Sequence, residues 1–124
     1  MTKTLFITGA SSGIGAATAQ AAAKAGWNVG LFARSEDKLK NLARDIGDQA
    51  LVLTGDATSY DDQEQAMSRL AQKFGQIDAV FANAGRGTSP GGTEKGDPDD
   101  WKAMVDLNVM GALYTAHAAM PYLR

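Results

Sequence analysis

The chain has 124 residues, 44% of them hydrophobic and 21% charged, with a formal net charge of −2. That is the size of one domain with enough apolar residues for a core, and the composition excludes disordered and fibrous classes. The weakly acidic balance makes no electrostatic case for nucleic acid or an anionic membrane, no apolar run approaches the ~20 residues that span a bilayer, and one His with no Cys argues against disulfides and a zinc site.

Leu5-Phe6-Ile7 is a short continuous apolar run, expected as a strand buried on both faces. The residues before it form no charged-then-apolar signal segment, and with the lack of Cys this leads us to expect a cytoplasmic protein. Thr8-Gly9-Ala10-Ser11-Ser12-Gly13-Ile14-Gly15 follows, then an Ala-rich helix from Ile14 to Ala25 stopped by Gly26. Val29 to Ala33 is the second strand, weakened by Gly30. Ser35 caps a helix with Leu39, Leu42, Ala43 and Ile46 at helical spacing and Gly47 at its end. Ala50 to Thr54 is the third strand. Thr58 or Ser59 caps the third helix, where Asp61, Asp62 and Glu64 occupy the opening turns and Ala66, Met67, Leu70 and Phe74 form the buried stripe. Gly75 stops it. Ala79 to Ala82 is the fourth strand, ending at Asn83-Ala84-Gly85. Arg86 to Gly96, with Gly87, Pro90, Gly91 and Gly92, reads as a loop, and Asp97-Pro98 starts a long helix that runs to about Met120, with Pro121 marking its end.

The βα unit therefore occurs four times, which predicts an α/β fold with a doubly wound, Rossmann-type parallel sheet in the order 3-2-1-4. Ligands of such sheets bind beyond the C-terminal strand ends where the order reverses, here between the first and fourth strands. The loops Gly9–Gly15 and Asn83–Gly85 flank that crevice. The glycine spacing, G-x-x-x-G-x-G, departs from the usual dinucleotide pattern G-x-G-x-x-G, and by itself it also fits a plain tight turn. Between a strand and a helix it reads as a phosphate cradle. Gly13 and Gly15 allow backbone to approach a pyrophosphate, Ser11 and Ser12 bring hydroxyl donors, and the helix N-terminus adds partial positive charge.

Thr8-Gly9 with Gly13-Ile14-Gly15, Asn83-Ala84-Gly85, Asp56 after the third strand, and Asn108 followed by Val109 and Gly111 together resemble the short-chain dehydrogenase/reductase family across the whole chain. The resemblance implies an NAD(H)- or NADP(H)-dependent oxidoreductase acting on small-molecule alcohols or carbonyls. It implies cofactor contacts from Thr8, Gly9, Ser11, Ser12, Gly13, Ile14, Gly15, Arg34, Asp56, Ala57, Asn83, Ala84 and Gly85. In the family an acidic residue ending the second strand holds the ribose 2′-hydroxyl and favours NAD. Here Ala33 stands at that place, followed by Arg34, whose planar guanidinium suits a 2′-phosphate, so NADP(H) is expected over NAD(H). Ser12 stands where some NADP-dependent relatives carry a second basic residue. By resemblance Asp56 accepts from the adenine amino group, with Ala57 adding backbone contact; read from the residues alone, Asp56 is equally a helix-initiating Asp near Thr58. Asn83 and Gly85 would border the adenine-side ribose, and Ala82 replaces a frequent family Asn.

Trp101, Met104, Val105, Ala112, Thr115 and Ala119 form one helical stripe that includes Asn108, so its amide is expected to be buried and to need partners. It is either a satisfied structural Asn that bends the helix or, by resemblance, a catalytic residue that holds a water in the proton relay. His117, the Met residues, Trp27, Trp101 and Tyr114 read as packing or surface positions. The family's catalytic Ser and Tyr-x-x-x-Lys have no counterpart: Tyr114 is followed four residues on by Ala118, and Tyr122 lies two residues from the end. Residues 1–124 are therefore expected to be the NADP(H)-binding, N-terminal half of a longer enzyme, inactive alone and with one edge of the fourth strand unpaired. A non-catalytic dinucleotide-binding module and a structural half that pairs with a separate chain are the alternatives. A homo-oligomer and pairing with the missing half both stay open, as does the substrate.

Overall fold

Four apolar runs become four parallel strands because each is followed by a helical segment long enough to return the chain to the same end of the sheet. The computed structural model describes residues 2–87 and 92–124. The strands are β1 (Thr4–Thr8), β2 (Asn28–Ala33), β3 (Ala50–Thr54) and β4 (Ala79–Phe81), in the order β3-β2-β1-β4. The helices are α1 (Gly13–Lys24), α2 (Glu36–Ile46), α3 (Tyr60–Phe74), the short α4 (Gly92–Lys95), α5 (Pro98–Val105) and α6 (Gly111–Leu123). Ile7 pairs with Leu31 on one side and Phe81 on the other, which makes β1 central.

Neighbouring side chains of a strand point to opposite faces, so each strand feeds two cores. Ile7, Val29 and Leu31 pack with Ala19 of α1 and Leu39 and Leu42 of α2. Phe6, Phe32 and Leu53 pack on the other face with Met67 and Leu70 of α3 and Ala119 of α6, the Phe6 and Phe32 rings lying 5.6 Å apart. Gly30 has a packing role beyond its poor strand propensity. A Cβ there would lie 2.7 Å from Leu70 Cδ2, so the missing side chain lets α3 settle close to the sheet.

The helix N-termini divide into two kinds. Ser59 caps α3 by accepting a hydrogen bond from the Asp62 N–H at 3.2 Å, and Asp97 caps α5 by accepting from the Asp99 N–H at 3.0 Å. Ser12 and Ser35 occupy the same position before α1 and α2, yet neither side chain makes a cap hydrogen bond. A stability difference follows. Ser59→Ala should cost about 1 kcal/mol in urea unfolding, the usual value of a lost cap. Ser35→Ala, which loses no cap bond, should stay within about 0.5 kcal/mol of the parent chain; equal costs for the two would contradict the assignment.

The last helical segment differs from the expected single helix. A π-helical turn, Asp106–Met110, separates α5 from α6. Its extra residue per turn rotates α5 relative to α6, so the stripe drawn through both does not form one buried face. α5 buries no residue fully, Val105 is exposed, and Asn108 is exposed rather than buried. The buried positions are Gly111, Thr115, Ala118 and Ala119, all on α6. Pro121 lies inside α6, which continues to Leu123 although a proline there has no N–H to donate to the carbonyl four residues earlier. The stretch read as a loop contains α4; Pro90 and Gly91 of that stretch lie outside the described residues.

Among the described residues β3 and β4 form the two edges of the sheet, and β4 pairs only with β1. Beside it the π turn and its flanking helices leave Val105, Val109, Met110, Leu113, Met120 and Leu123 exposed. Among the described residues no helix is long and apolar enough to cross a membrane.

Candidate functional site

A cleft of about 750 Å³ opens at the C-terminal ends of the strands, a size typical of small-molecule sites. Its walls come from the loop after β1 (Gly9, Ser11, Ser12, Ile14), the end of β2 (Arg34, Ser35), the end of β3 (Asp56, Ala57) and the end of β4 (Asn83, Ala84, Gly85). Lys38 of α2, Arg86, and Ala103, Asp106 and Leu107 also line it. Most of the residues expected to bind a cofactor therefore meet in one place. Thr8, Gly13, Gly15 and Asn108 do not line the cleft.

Thr8 and Gly15 lie behind it and hold its two loops together. The Thr8 Oγ1 accepts hydrogen bonds from the backbone N–H groups of Asn83 and Ala84, both at 3.0 Å. The Asn83 side chain donates from Nδ2 to the Gly9 carbonyl at 3.3 Å. Gly9 sits at φ +67°, a conformation suited to glycine, and a Cβ on it would lie 2.9 Å from the Ala84 Cα. A Cβ on Gly15 would lie 2.3 Å from the Gly9 carbonyl oxygen. The β1 and β4 loops thus approach each other as backbone against backbone.

At the end of β3, Asp56 Oδ1 accepts from the backbone N–H and the hydroxyl of Thr58 at 2.9 and 2.8 Å. The Thr58 N–H is the main reason the Asp56 carboxyl is held below its ordinary range. Partial burial opposes it, while the Thr58 hydroxyl and the charge of Arg34 reinforce it. Asp56 is therefore ionised at neutral pH, and among the described residues no hydrogen bond engages its Oδ2. Locally Asp56 makes the turn before α3 and also lines the cleft. Its backbone N–H in turn donates to Asp62 Oδ2 at 2.9 Å.

Asn108 is exposed, yet both ends of its amide are engaged. Its Oδ1 accepts from the Arg86 N–H and its Nδ2 donates to the Arg86 carbonyl, each at 2.8 Å. The amide thus pairs with the backbone of residue 86 as a neighbouring strand would, beside the free edge of β4. A Cβ on Gly85 would come within 2.9 Å of Asn108 Oδ1, so this approach also depends on glycine. The Arg86 guanidinium forms an ion pair with Asp100 on α5.

The family model for short chain dehydrogenase matches residues 3–124. The chain belongs to the short-chain dehydrogenase/reductase family. An uncharacterised oxidoreductase of Staphylococcus saprophyticus is 42% identical over 123 residues, covering 96% of this chain and 52% of that protein. An oxidoreductase of Botryotinia fuckeliana is 39% identical over 125 residues, covering 100% of this chain and 45% of that protein. Among solved structures, a 3-ketoacyl-(acyl-carrier-protein) reductase from Brucella melitensis complexed with NADH superposes with a TM-score of 0.93 at 32% identity, over 97% of this chain and 49% of the other. The chain spans about half the length of the curated relatives it matches.

Several residues at or behind the site escape sequence reading. Ser35 and Lys38 enter the cleft only because α2 starts at its rim. Asp62, expected merely to suit the helix dipole, also fixes the backbone of Asp56. Gln63 is fully buried, donating from Nε2 to the carbonyls of Ala57 at 2.8 Å and Gly111 at 3.0 Å. Its spacing from Ala66, Met67 and Leu70 placed it on the buried stripe of α3, a signal its polar side chain concealed.

Proposed function

We propose that this chain is the cofactor-binding half of an NADP(H)-dependent oxidoreductase that acts on an alcohol or carbonyl. The observation that carries the preference is Arg34, exposed on the cleft wall just after β2, with no ion pair or hydrogen bond among the described residues. An arginine beside the ribose 2′ position accommodates a phosphate there, whereas a carboxylate would repel it.

The rest of the cleft fits a dinucleotide. The Ser12 hydroxyl and the open N-terminus of α1 suit the pyrophosphate, because neither has been used for a side-chain cap. Ile14, 71% exposed on the same wall, offers an apolar surface for a ligand to cover. Asp56 Oδ2 can accept from the adenine amino group, Ala57 adds backbone contact, and Asn83, Ala84 and Gly85 form the wall against which the central part of the cofactor would lie. Thr8, Gly9, Ser11, Gly13 and Gly15 shape the cradle. When bound, the nicotinamide supplies or accepts the hydride. Asn108, by its family resemblance, serves the proton relay, and its clamp on Arg86 holds the β4 loop in place. Nothing after Asn108 supplies the family's Ser or Tyr-x-x-x-Lys, which favours binding without turnover by this chain alone.

Titration of the chain with NADPH and NADH tests the preference. Arg34→Ala should weaken NADPH by about 10- to 100-fold, the worth of charge-assisted hydrogen bonds to phosphate, and leave NADH nearly unchanged. Equal affinity of the parent chain for both cofactors would overturn the assignment.

A further inference from the structure

We propose that Lys38 is a second cation of the subsite that receives the ribose 2′-phosphate, an inference that rests on the NADP(H) reading above. Lys38 lies on the first turn of α2, four residues after Arg34, and lines the same cleft.

Three observations set it apart from an ordinary surface lysine. Lys38 has no ion pair or hydrogen bond among the described residues, whereas Lys40 on the same helix pairs with Glu36 at 3.0 Å. The acids of that first turn, Glu36 and Asp37, do not line the cleft, so neither brings a counter-charge to Lys38 there. A cation in the first turn also opposes the helix dipole, which an anionic ligand would offset.

The third observation is the charge balance of this end of the cleft. Arg34 faces Asp56, whose ionised carboxyl it helps to stabilise, so part of its charge is already met. The glycine loop contributes only the uncharged Ser11 and Ser12. A phosphate monoester carries about −1.5 to −2 charges at neutral pH. With Arg34 and Asp56 alone the wall is neutral; Lys38 makes it cationic. Ser35, between the two cations, adds a hydroxyl that its helix does not use as a cap.

The test uses 2′,5′-ADP and 5′-AMP, which differ by the 2′-phosphate and do not occupy the nicotinamide end. The parent chain should bind 2′,5′-ADP more tightly. Lys38→Gln should reduce that preference by about 3- to 10-fold and leave 5′-AMP unchanged. Lys38→Arg should restore the preference, and Lys40→Gln should alter neither affinity. If Lys38→Gln keeps the preference while Arg34→Gln loses it, Lys38 has no such role and the NADP(H) reading stands. Equal weakening of both probes by Lys38→Gln likewise removes the role. A parent chain that binds the two probes equally, or binds neither, overturns the NADP(H) reading and the Lys38 assignment together.

Discussion

Gly15→Ala should lower dinucleotide affinity by about 100-fold or more, the equivalent of losing two charge-assisted hydrogen bonds from the cradle. The new Cβ would lie 2.3 Å from the Gly9 carbonyl oxygen, 2.8 Å from Asn83 Nδ2 and 2.9 Å from the Gly9 carbonyl carbon. Two of these atoms are backbone, and Asn83 is tied to the same carbonyl, so the strain cannot be relieved by one rotamer change. The loop must move, and with it the N–H groups proposed to receive the phosphates. Stability responds to two opposed terms. Alanine gains about 1 kcal/mol over glycine within a helix. Overpacking against a fixed neighbour costs about 1–3 kcal/mol and sometimes more. With backbone as the obstacle the second term wins, and the urea midpoint should fall. Gly13→Ala provides the contrast: its Cβ meets nothing within 4 Å, and its cost comes from φ +57° alone. Binding by Gly15→Ala within threefold of the parent would show that the β1 and β4 loops are not locked as described.

Gln63→Leu should destabilise the chain by about 2–4 kcal/mol, since a buried acceptor left without its partner costs roughly 1–3 kcal/mol beyond the bonds lost. Gln63 stands at the meeting point of three segments. Its Nε2 serves the carbonyls of Ala57 in the loop after β3 and Gly111 at the start of α6, and its Oε1 accepts from the buried Thr115 hydroxyl. Leucine keeps the volume but supplies none of these bonds. The Gly111 carbonyl retains the Thr115 hydroxyl at 3.0 Å, whereas the Ala57 carbonyl loses the side-chain donor that held it. Because the two side chains share one network, Gln63→Leu and Thr115→Val should be less than additive in denaturant unfolding. Strict additivity would mean that the groups act independently.

The architecture was largely legible in the residues. Alternation of apolar strands with helices, punctuated by Gly26, Gly47 and Gly75, located β1 to β4 and α1 to α3 because those signals are local. β1 and β2 are runs largely buried on both faces, and α1, α2 and α3 stop where Gly26, Gly47 and Gly75 take a positive φ. The convergence of the Gly9–Gly15 loop with Asn83–Gly85 was also predictable, since strand order dictates which loop ends are neighbours. The last helical segment was not. Its residues allow a continuous helix. The π turn accompanies distant docking: the Asn108 amide on the Arg86 backbone, and the Gly111 backbone against Ala57 and Gln63.

The sequence by itself thus determined the fold class, the order of elements and the position of the glycine cradle, all encoded in periodicity and turn chemistry over a few residues. Only the tertiary structure decided which side chains share the site. Lys38 and Ser35 join Arg34 because α2 begins at the cleft rim, and Gln63 ties Ala57 to Gly111, which lies 48 residues along the chain from Gln63 itself. Asn108, which the helical pattern assigned to the interior, is held at the surface by a partner 22 residues away. Such pairings are set by how packed elements meet, and a period of two or 3.6 residues carries no information about them.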